Sequence, residues 1–382
     1  MKPLPNLVII IASLGSGGAE RVATTLANRF SDGQDGCTPR FKVTIVCLSA
    51  EEPSSYELSP QVNVVYLDRL SRPGSTFSAI TNNIERVVAL RRAVKGANAD
   101  IVISFMLETN VLAVLARLGV PLIACEHTDP GFIQHKLAWR LLRRISYRFV
   151  DRLVVLNDYM KDWFAANGCR GITVIPNPVS IHPDPNARPG VPQPFVLAMG
   201  RLIESKRFDL LIELYAQMAQ DYPEWRLVIA GDGEQKSRLE NQIRELGMSD
   251  CIHLIGNTTS PHDWMQHAEI FVSTSTIEAF PMAICEAMMS GLPVVVMAYN
   301  EGVHALIPEQ AGYVVEGDDT EAAFKEALKA MMGNPQARAE MGRAATRTMD
   351  HFAIAAVSRQ WASLFSELGV SGRLSFEERE TK

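Results

Sequence analysis

Glu278 and Glu286 stand eight positions apart in STSTIEAFPMAICEAMMSGLPVVV, residues 273–296. Two carboxylates at this spacing can accept hydrogen bonds from ligand hydroxyls. Taken singly, each also fits an ordinary role, one near a helix dipole and one on a solvated helix face. Arg201 and Lys206 follow Gly200 at a predicted strand end. A guanidinium grips phosphate oxygens bidentately and an ammonium adds a point charge, although two such cations are also common surface residues. His127 closes LIACEHT, residues 122–128, where an imidazole can hydrogen-bond or exchange protons near neutral pH. A hydrogen-bonded loop histidine has the same signature. Gly17 and Gly18 lie in a Gly-rich turn feeding a helix, a geometry that suits a phosphate and equally a tight corner. The turn has neither the spacing of the dinucleotide fingerprint nor a Gly-Lys-Ser/Thr phosphate loop.

A further set of cations lies in QHKLAWRLLRRISYRFV, residues 134–150. At helical spacing Lys136, Arg140, Arg143, Arg144 and Tyr147 share one face, and Arg148 adds another charge nearby. Leu141, Leu142, Ile145 and Phe149 fall on the opposite side. No carboxylate occurs in the segment, so ion pairing within the helix does not account for the stripe. The pattern suits a solvated face, or contact with anionic lipid headgroups or a pyrophosphate.

The elements that position these groups alternate. Strands are predicted at residues 6–13, 42–48, 62–67, 101–105, 122–127 and 152–156, with helices after the Gly-rich turn and across 80–95. A second series of strands covers 225–233, 252–256, 270–273, 294–297 and 311–315, with another ending at 199–201. Such alternation makes an α/β protein with parallel sheets, whose ligands bind beyond the carboxyl ends of the strands. Pro281 is expected in the first turn of the helix between 273 and 294, and Gly291 and Pro293 end it.

The chain has 382 residues, 47% hydrophobic and 21% charged, which suits two globular domains. A net charge of −6 argues against a dedicated nucleic-acid binder. Six cysteines without metal-binding spacing read as reduced thiols of a cytosolic protein. No stretch reaches the roughly 20 apolar residues of a membrane span, and no signal peptide is expected. The domains are read as 1–180, completed by a carboxyl-terminal helix at about 352–370, a Pro-rich linker at 181–193, and 194–351.

The carboxylate pair and its surroundings resemble the Glu-x7-Glu signature of the retaining glycosyltransferases numbered family four, which have the GT-B fold. Glu278, Glu286, Ala287, Gly291, Pro293, Val294 and Val295 match that pattern, and Ala279 departs from its usual Gly. Gly17-Gly18, His127 and the Gly200-Arg201 to Lys206 run follow the family's other motifs in order. The resemblance covers nearly the whole chain. It implies two Rossmann-like doubly wound domains facing across a cleft, with the nucleotide sugar held chiefly by the second. Gly17 and Gly18 would line the cleft, and Arg201 and Lys206 would hold the donor diphosphate. Gly256 and Asn257 would lie against the base, and Glu286 would take the ribose hydroxyls. Glu278 would bind a sugar hydroxyl beside Ala279, Phe280 and Pro281 at the amino end of the helix, and His127 would face the sugar.

The basic helix resembles that of members that elongate undecaprenyl-pyrophosphate-linked oligosaccharides. The implied reaction moves a hexose or N-acetylhexosamine from a nucleotide sugar, UDP being the expected nucleotide, to a lipid-linked glycan. It would run with retention, without a metal or other cofactor, in a cytoplasmic protein peripheral to the inner face of the membrane. No Asp-x-Asp occurs, and the cations can balance the diphosphate. The rival readings are a nucleotide-sugar epimerase or phosphorylase on the same fold, and a non-catalytic nucleotide-sugar-binding scaffold.

Overall fold

A computed structural model describes residues 3–15, 17–33, 40–54, 56–70, 76–131 and 137–372. The chain divides into two compact units, Met1–Pro178 with Ile354–Lys382, and Val179–Ala353. Continuous runs of β-branched residues such as NLVIII and IVISF make strands buried on both faces, as parallel sheets require.

The first unit contains β1 (Asn6–Ile11), α1 (Gly18–Asp32), β2 (Lys42–Cys47), β3 (Asn63–Tyr66), α2 (Thr76–Gly96), β4 (Ile101–Phe105) and α3 (Leu107–Leu115). It continues through β5 (Leu122–Cys125), α4 (Leu137–Ser146), β6 (Arg152–Val155), α5 (Asp158–Ala166) and β7 (Ile172–Val174). The strands form one parallel sheet in the order β3-β2-β1-β4-β5-β6-β7. Val22, Leu26 and Phe30 repeat every four residues along α1 and are buried against one face of it. The last helix, α13 (Ile354–Glu367), belongs to this unit, although the second unit separates it in sequence. Its Val357, Trp361, Leu364 and Phe365 enter the same core, with the Phe365 ring 5.2 Å from Phe30 and 5.4 Å from Phe41.

The second unit contains β8 (Phe195–Met199), α6 (Phe208–Ala216), β9 (Arg226–Ala230), α7 (Lys236–Glu245), β10 (Ile252–Gly256), α8 (Pro261–Met265) and β11 (Ile270–Ser273). Then come α9 (Met282–Met289), β12 (Val294–Met297), α10 (Gly302–Leu306), β13 (Gly312–Val315), α11 (Thr320–Gly333) and α12 (Pro335–Met349). Its parallel sheet runs β10-β9-β8-β11-β12-β13. In each sheet the strand order reverses about the first strand, between β1 and β4 and between β8 and β11. The crevice beyond the carboxyl ends at such a reversal is where doubly wound sheets bind ligands.

Two expectations change. Pro281 caps α9 from outside its first turn. Residues 181–193, read as a linker, are fastened to the second unit. The Asp184 amide donates to Asp263 at 2.7 Å, and the Gln266 side-chain amide donates to the Asp184 carbonyl at 2.6 Å. Pro and polar residues suit an extended segment whether it is free or laid against a surface. The composition could not distinguish these cases.

Candidate functional site

The reversal point of the second sheet gathers most of the predicted residues. After β8 the chain passes Gly200 and the exposed Arg201, then turns through Glu204–Lys206. Arg207 adopts the left-handed region at φ 51°, uncommon for a side chain of its size, and starts α6. This turn is stitched to the loop between β11 and α9. The Thr274 hydroxyl donates toward the carbonyls of Lys206 at 3.0 Å and Arg207 at 2.9 Å, and the Thr276 amide donates to Ser205 at 2.9 Å. Lys206 Nζ and Glu278 Oε1 are thereby brought into an ion pair, their side chains 20% and 15% exposed. Asn300 steadies the same loop by donating to the Glu278 carbonyl at 3.2 Å.

The neighbouring strand ends form a floor of bare backbone. A Cβ on Gly231 would lie 1.9 Å from the Gly200 carbonyl oxygen, and its amide donates to Gly256 at 2.8 Å. Only glycine permits that approach. Asn257 beyond it is exposed. Ala279 keeps a negative φ, so the fold asks for no glycine there. Phe280 lies 5.8 Å from the Phe352 ring, and Pro281 is buried. Glu286 is not on a solvated helix face. It is 3% exposed, with Oε2 3.6 Å from Nε2 of His262.

In the first unit, Gly17 precedes α1 with extended backbone, and the carboxylate of Glu20 folds back against it. The Tyr56 hydroxyl donates to the Gly17 carbonyl at 3.1 Å. Met106, after β4, holds φ 77° and ψ 152°, a region nearly restricted to glycine, and such strain gathers at functional strand ends. His127 follows β5, with its ring 5.0 Å from Phe105. Its Nδ1 is buried and has no hydrogen-bond partner among the described residues. Burial pulls its pKa down to about 3, so the imidazole is neutral at any physiological pH.

Beside it lies a polar cluster that the motifs did not reveal. Glu126 is buried and accepts a hydrogen bond from the Tyr147 hydroxyl. Asn110 donates to that hydroxyl at 3.0 Å and to the Cys125 carbonyl at 3.0 Å, and it accepts from Ser104. Burial raises the Glu126 carboxyl to about 7 against the opposing pull of Tyr147, Arg143 and Thr128. The available signal was a Ser and an Asn set inside the apolar runs of β4 and α3.

The basic stripe is corrected by the same cluster. Arg143 is only 8% exposed, its guanidinium 4.8 Å from the Trp163 ring centre and 5.4 Å from that of Phe164. Tyr147 is fully buried. The outward residues are Arg140, Arg144 and Arg148 together with Leu141, Leu142, Ile145 and Phe149, the apolar ones 57%, 39%, 52% and 70% exposed. The helix α4 and the 3-10 turn Tyr147–Phe149 that follows it are therefore seated by Arg143 and Tyr147, with the leucines in solvent. A guanidinium stacked on aromatic faces can be buried where a solvated cation could not, and helical spacing alone cannot distinguish the two. Lys136 lies outside the described residues. No helix among those residues is long and apolar enough to cross a membrane.

Two doubly wound units, with cations and carboxylates gathered at the carboxyl edge of the second, define the class of GT-B glycosyltransferases. The chain matches the family "Glycosyltransferase Family 4" over residues 16–183 and "Glycosyl transferases group 1" over 185–348, and it belongs to this family. It is 28% identical to the GalNAc-alpha-(1->4)-GalNAc-alpha-(1->3)-diNAcBac-PP-undecaprenol alpha-1,4-N-acetyl-D-galactosaminyltransferase of Campylobacter jejuni, over 95% of this chain and 99% of that protein. A second protein of that organism, an N-acetylgalactosamine-N,N'-diacetylbacillosaminyl-diphospho-undecaprenol 4-alpha-N-acetylgalactosaminyltransferase, is 26% identical over 90% of this chain and 95% of its own length. Among solved structures, sucrose-phosphate synthase from Thermosynechococcus elongatus superposes with a TM-score of 0.79 at 16% identity, covering 96% of this chain and 99% of that one. Anabaena HepE, solved with UDP and glucose, gives 0.74 at 18% identity, covering 95% and 100%.

Proposed function

We propose that this glycosyltransferase moves a hexose or N-acetylhexosamine from a UDP-sugar to a glycan carried on a polyprenyl diphosphate, with retention at the anomeric carbon. The observation that carries the donor half is the meeting of Lys206 and Glu278 at the reversal point of the second sheet, where the exposed Arg201 leaves the end of β8 in the same connection as Lys206. In this reading the two cations neutralise the diphosphate as the glycosidic bond breaks, where a metal would otherwise balance the charge. Amide groups at the amino end of α9, near Phe280, face the same charge. Glu278 accepts a hydrogen bond from a sugar hydroxyl, Glu286 from the ribose hydroxyls, and the base rests against Gly256 and Asn257. His127, being neutral, serves as a hydrogen-bonding group toward the sugar. The acceptor hydroxyl attacks the anomeric carbon, its proton passes to the leaving phosphate oxygen, and the nucleoside diphosphate departs on the face of attack.

The acceptor half rests on the two Campylobacter relatives, whose names specify undecaprenyl-diphosphate glycans as their substrates. It rests also on α4 and the turn Tyr147–Phe149 after it. At a membrane surface, apolar residues such as Leu141, Leu142, Ile145 and Phe149 enter the acyl boundary while Arg140, Arg144 and Arg148 meet anionic headgroups. The protein would then work as a peripheral enzyme on the cytoplasmic face of the membrane. The test is incubation with a lipid-linked oligosaccharide and a panel of UDP-sugars, followed by mass spectrometry of the lipid fraction. A mass gain of one or more sugar residues from one donor is expected. Donor consumption without acceptor, or UDP binding without turnover on any acceptor, would overturn the proposal.

A further inference from the structure

His262 sits in the first turn of α8, 7% exposed, between the segment that enters the second unit and the buried face of α9. Its Nδ1 accepts a hydrogen bond from the backbone amide of His182 at 3.0 Å. An imidazole nitrogen that accepts carries no proton, so the proton of the neutral ring resides on Nε2. That nitrogen points toward Glu286 Oε2 at 3.6 Å, beyond hydrogen-bond length, and has no hydrogen-bond partner among the described residues. A buried N–H aimed at a buried carboxylate and a few tenths of an ångström too far from it is under-satisfied. Such contacts commonly tighten when a ligand draws the carboxylate into place.

We infer that His262 is a positioning residue for Glu286, fixing the carboxylate so that it presents an oxygen to the ribose of the nucleotide. This rests on the proposed role of Glu286. The His182 amide sets the tautomer, His262 turns its remaining N–H to Glu286, and Glu286 receives the ligand. The chain of contacts has a direction, and each end can be cut separately. Asparagine at 262 can keep an acceptor near the Nδ1 position for the His182 amide but cannot reach Glu286. Glutamine places an amide N–H near the Nε2 position and gives up the bond to His182. If His262 acts through Glu286, His262→Asn is the damaging change and His262→Gln the tolerated one. If it only anchors residue 182, the order is reversed.

The experiment is calorimetric titration of the full chain with UDP and with 2′,3′-dideoxy-UDP, on wild type, His262→Asn, His262→Gln and Glu286→Gln. Thermal melting without ligand checks that each variant is folded. His262→Asn should weaken UDP binding by about tenfold, as loss of a hydrogen bond to a charged group does, and His262→Gln by less than about threefold. The losses should vanish with the dideoxy nucleotide, which offers no ribose hydroxyls. In turnover the donor KM should rise at constant kcat, because a ribose contact is the same before and during bond cleavage. Wild-type affinity in His262→Asn alongside a loss in Glu286→Gln overturns the role of His262 and leaves that of Glu286 standing. Wild-type affinity in Glu286→Gln overturns the assignment of Glu286 itself. Greater damage from His262→Gln than from His262→Asn reduces His262 to an anchor of the entering segment.

Discussion

Replacing Glu126 by Gln should remove a pH dependence of stability built into the first unit. The carboxyl is buried against Tyr147 and raised from its ordinary value of 4.5 to about 7. A group whose pKa is higher in the folded state binds its proton more tightly there. Its stabilising contribution is complete below about pH 4.5, declines as pH rises through 7 and is absent above it. A shift of roughly two to three units at about 1.4 kcal/mol each gives about 3 kcal/mol across that window. Gln keeps an oxygen for the Tyr147 hydroxyl and has nothing to titrate. Urea denaturation of both proteins at intervals from pH 5 to 8.5 is the assay, read as the difference between the two curves. The wild type should lose stability relative to Glu126→Gln as pH rises, and the two should become parallel above about pH 8. A constant difference over the whole range would refute the reasoning, because Glu126 would then titrate alike in the folded and unfolded states.

Arg201→Ala and Lys206→Ala should each weaken UDP binding by about tenfold or more, measured by calorimetry, if they grip the diphosphate through charge-assisted bonds. Glu278→Gln should lower turnover while UDP binding persists, and full turnover by that variant would remove Glu278 from the reaction. For α4 and the turn after it, Ile145→Asp with Phe149→Asp should abolish flotation with anionic liposomes and raise the acceptor KM, whereas Arg140, Arg144 and Arg148 changed to Gln should weaken flotation most at low salt, where charge is least screened. Unchanged flotation in both sets would mean that α4 does not meet the membrane. Gly231→Ala should fail to fold or melt far below the wild type, because its Cβ would fall 1.9 Å from the Gly200 carbonyl oxygen; wild-type melting would show that the strand ends can part.

Much of this arrangement was legible because parallel sheets are written in long apolar runs. The strands at 101–105, 252–256, 270–273 and 294–297 appear at the predicted residues. The helix α3 was missed because LETNVLAVL is apolar on most sides and lacks the spacing of an amphipathic helix. The placement of Arg201, Lys206 and Glu278 at one sheet edge was legible because each follows a strand end. What escaped was pairing across distant segments. The sequence separates Glu278 from Lys206 by 72 residues and His262 from His182 by 80, and no local pattern marks either contact. The inward turn of Arg143 escaped for a related reason, since the aromatic rings that hold it come from α5.

The stacking of Arg143 on Trp163 gives the first unit an optical gauge. A guanidinium held 4.8 Å from an indole ring centre alters the field in which that chromophore emits. Trp163 belongs to α5, whereas the charge above it belongs to α4. Any lifting or rotation of α4 moves the charge and leaves the chromophore in place. The emission of Trp163, isolated by changing the other four tryptophans to Phe, therefore reports the seating of this helix without an attached dye. Recorded during titration with vesicles or with a lipid-linked glycan, it separates an α4 that stays seated from one that shifts.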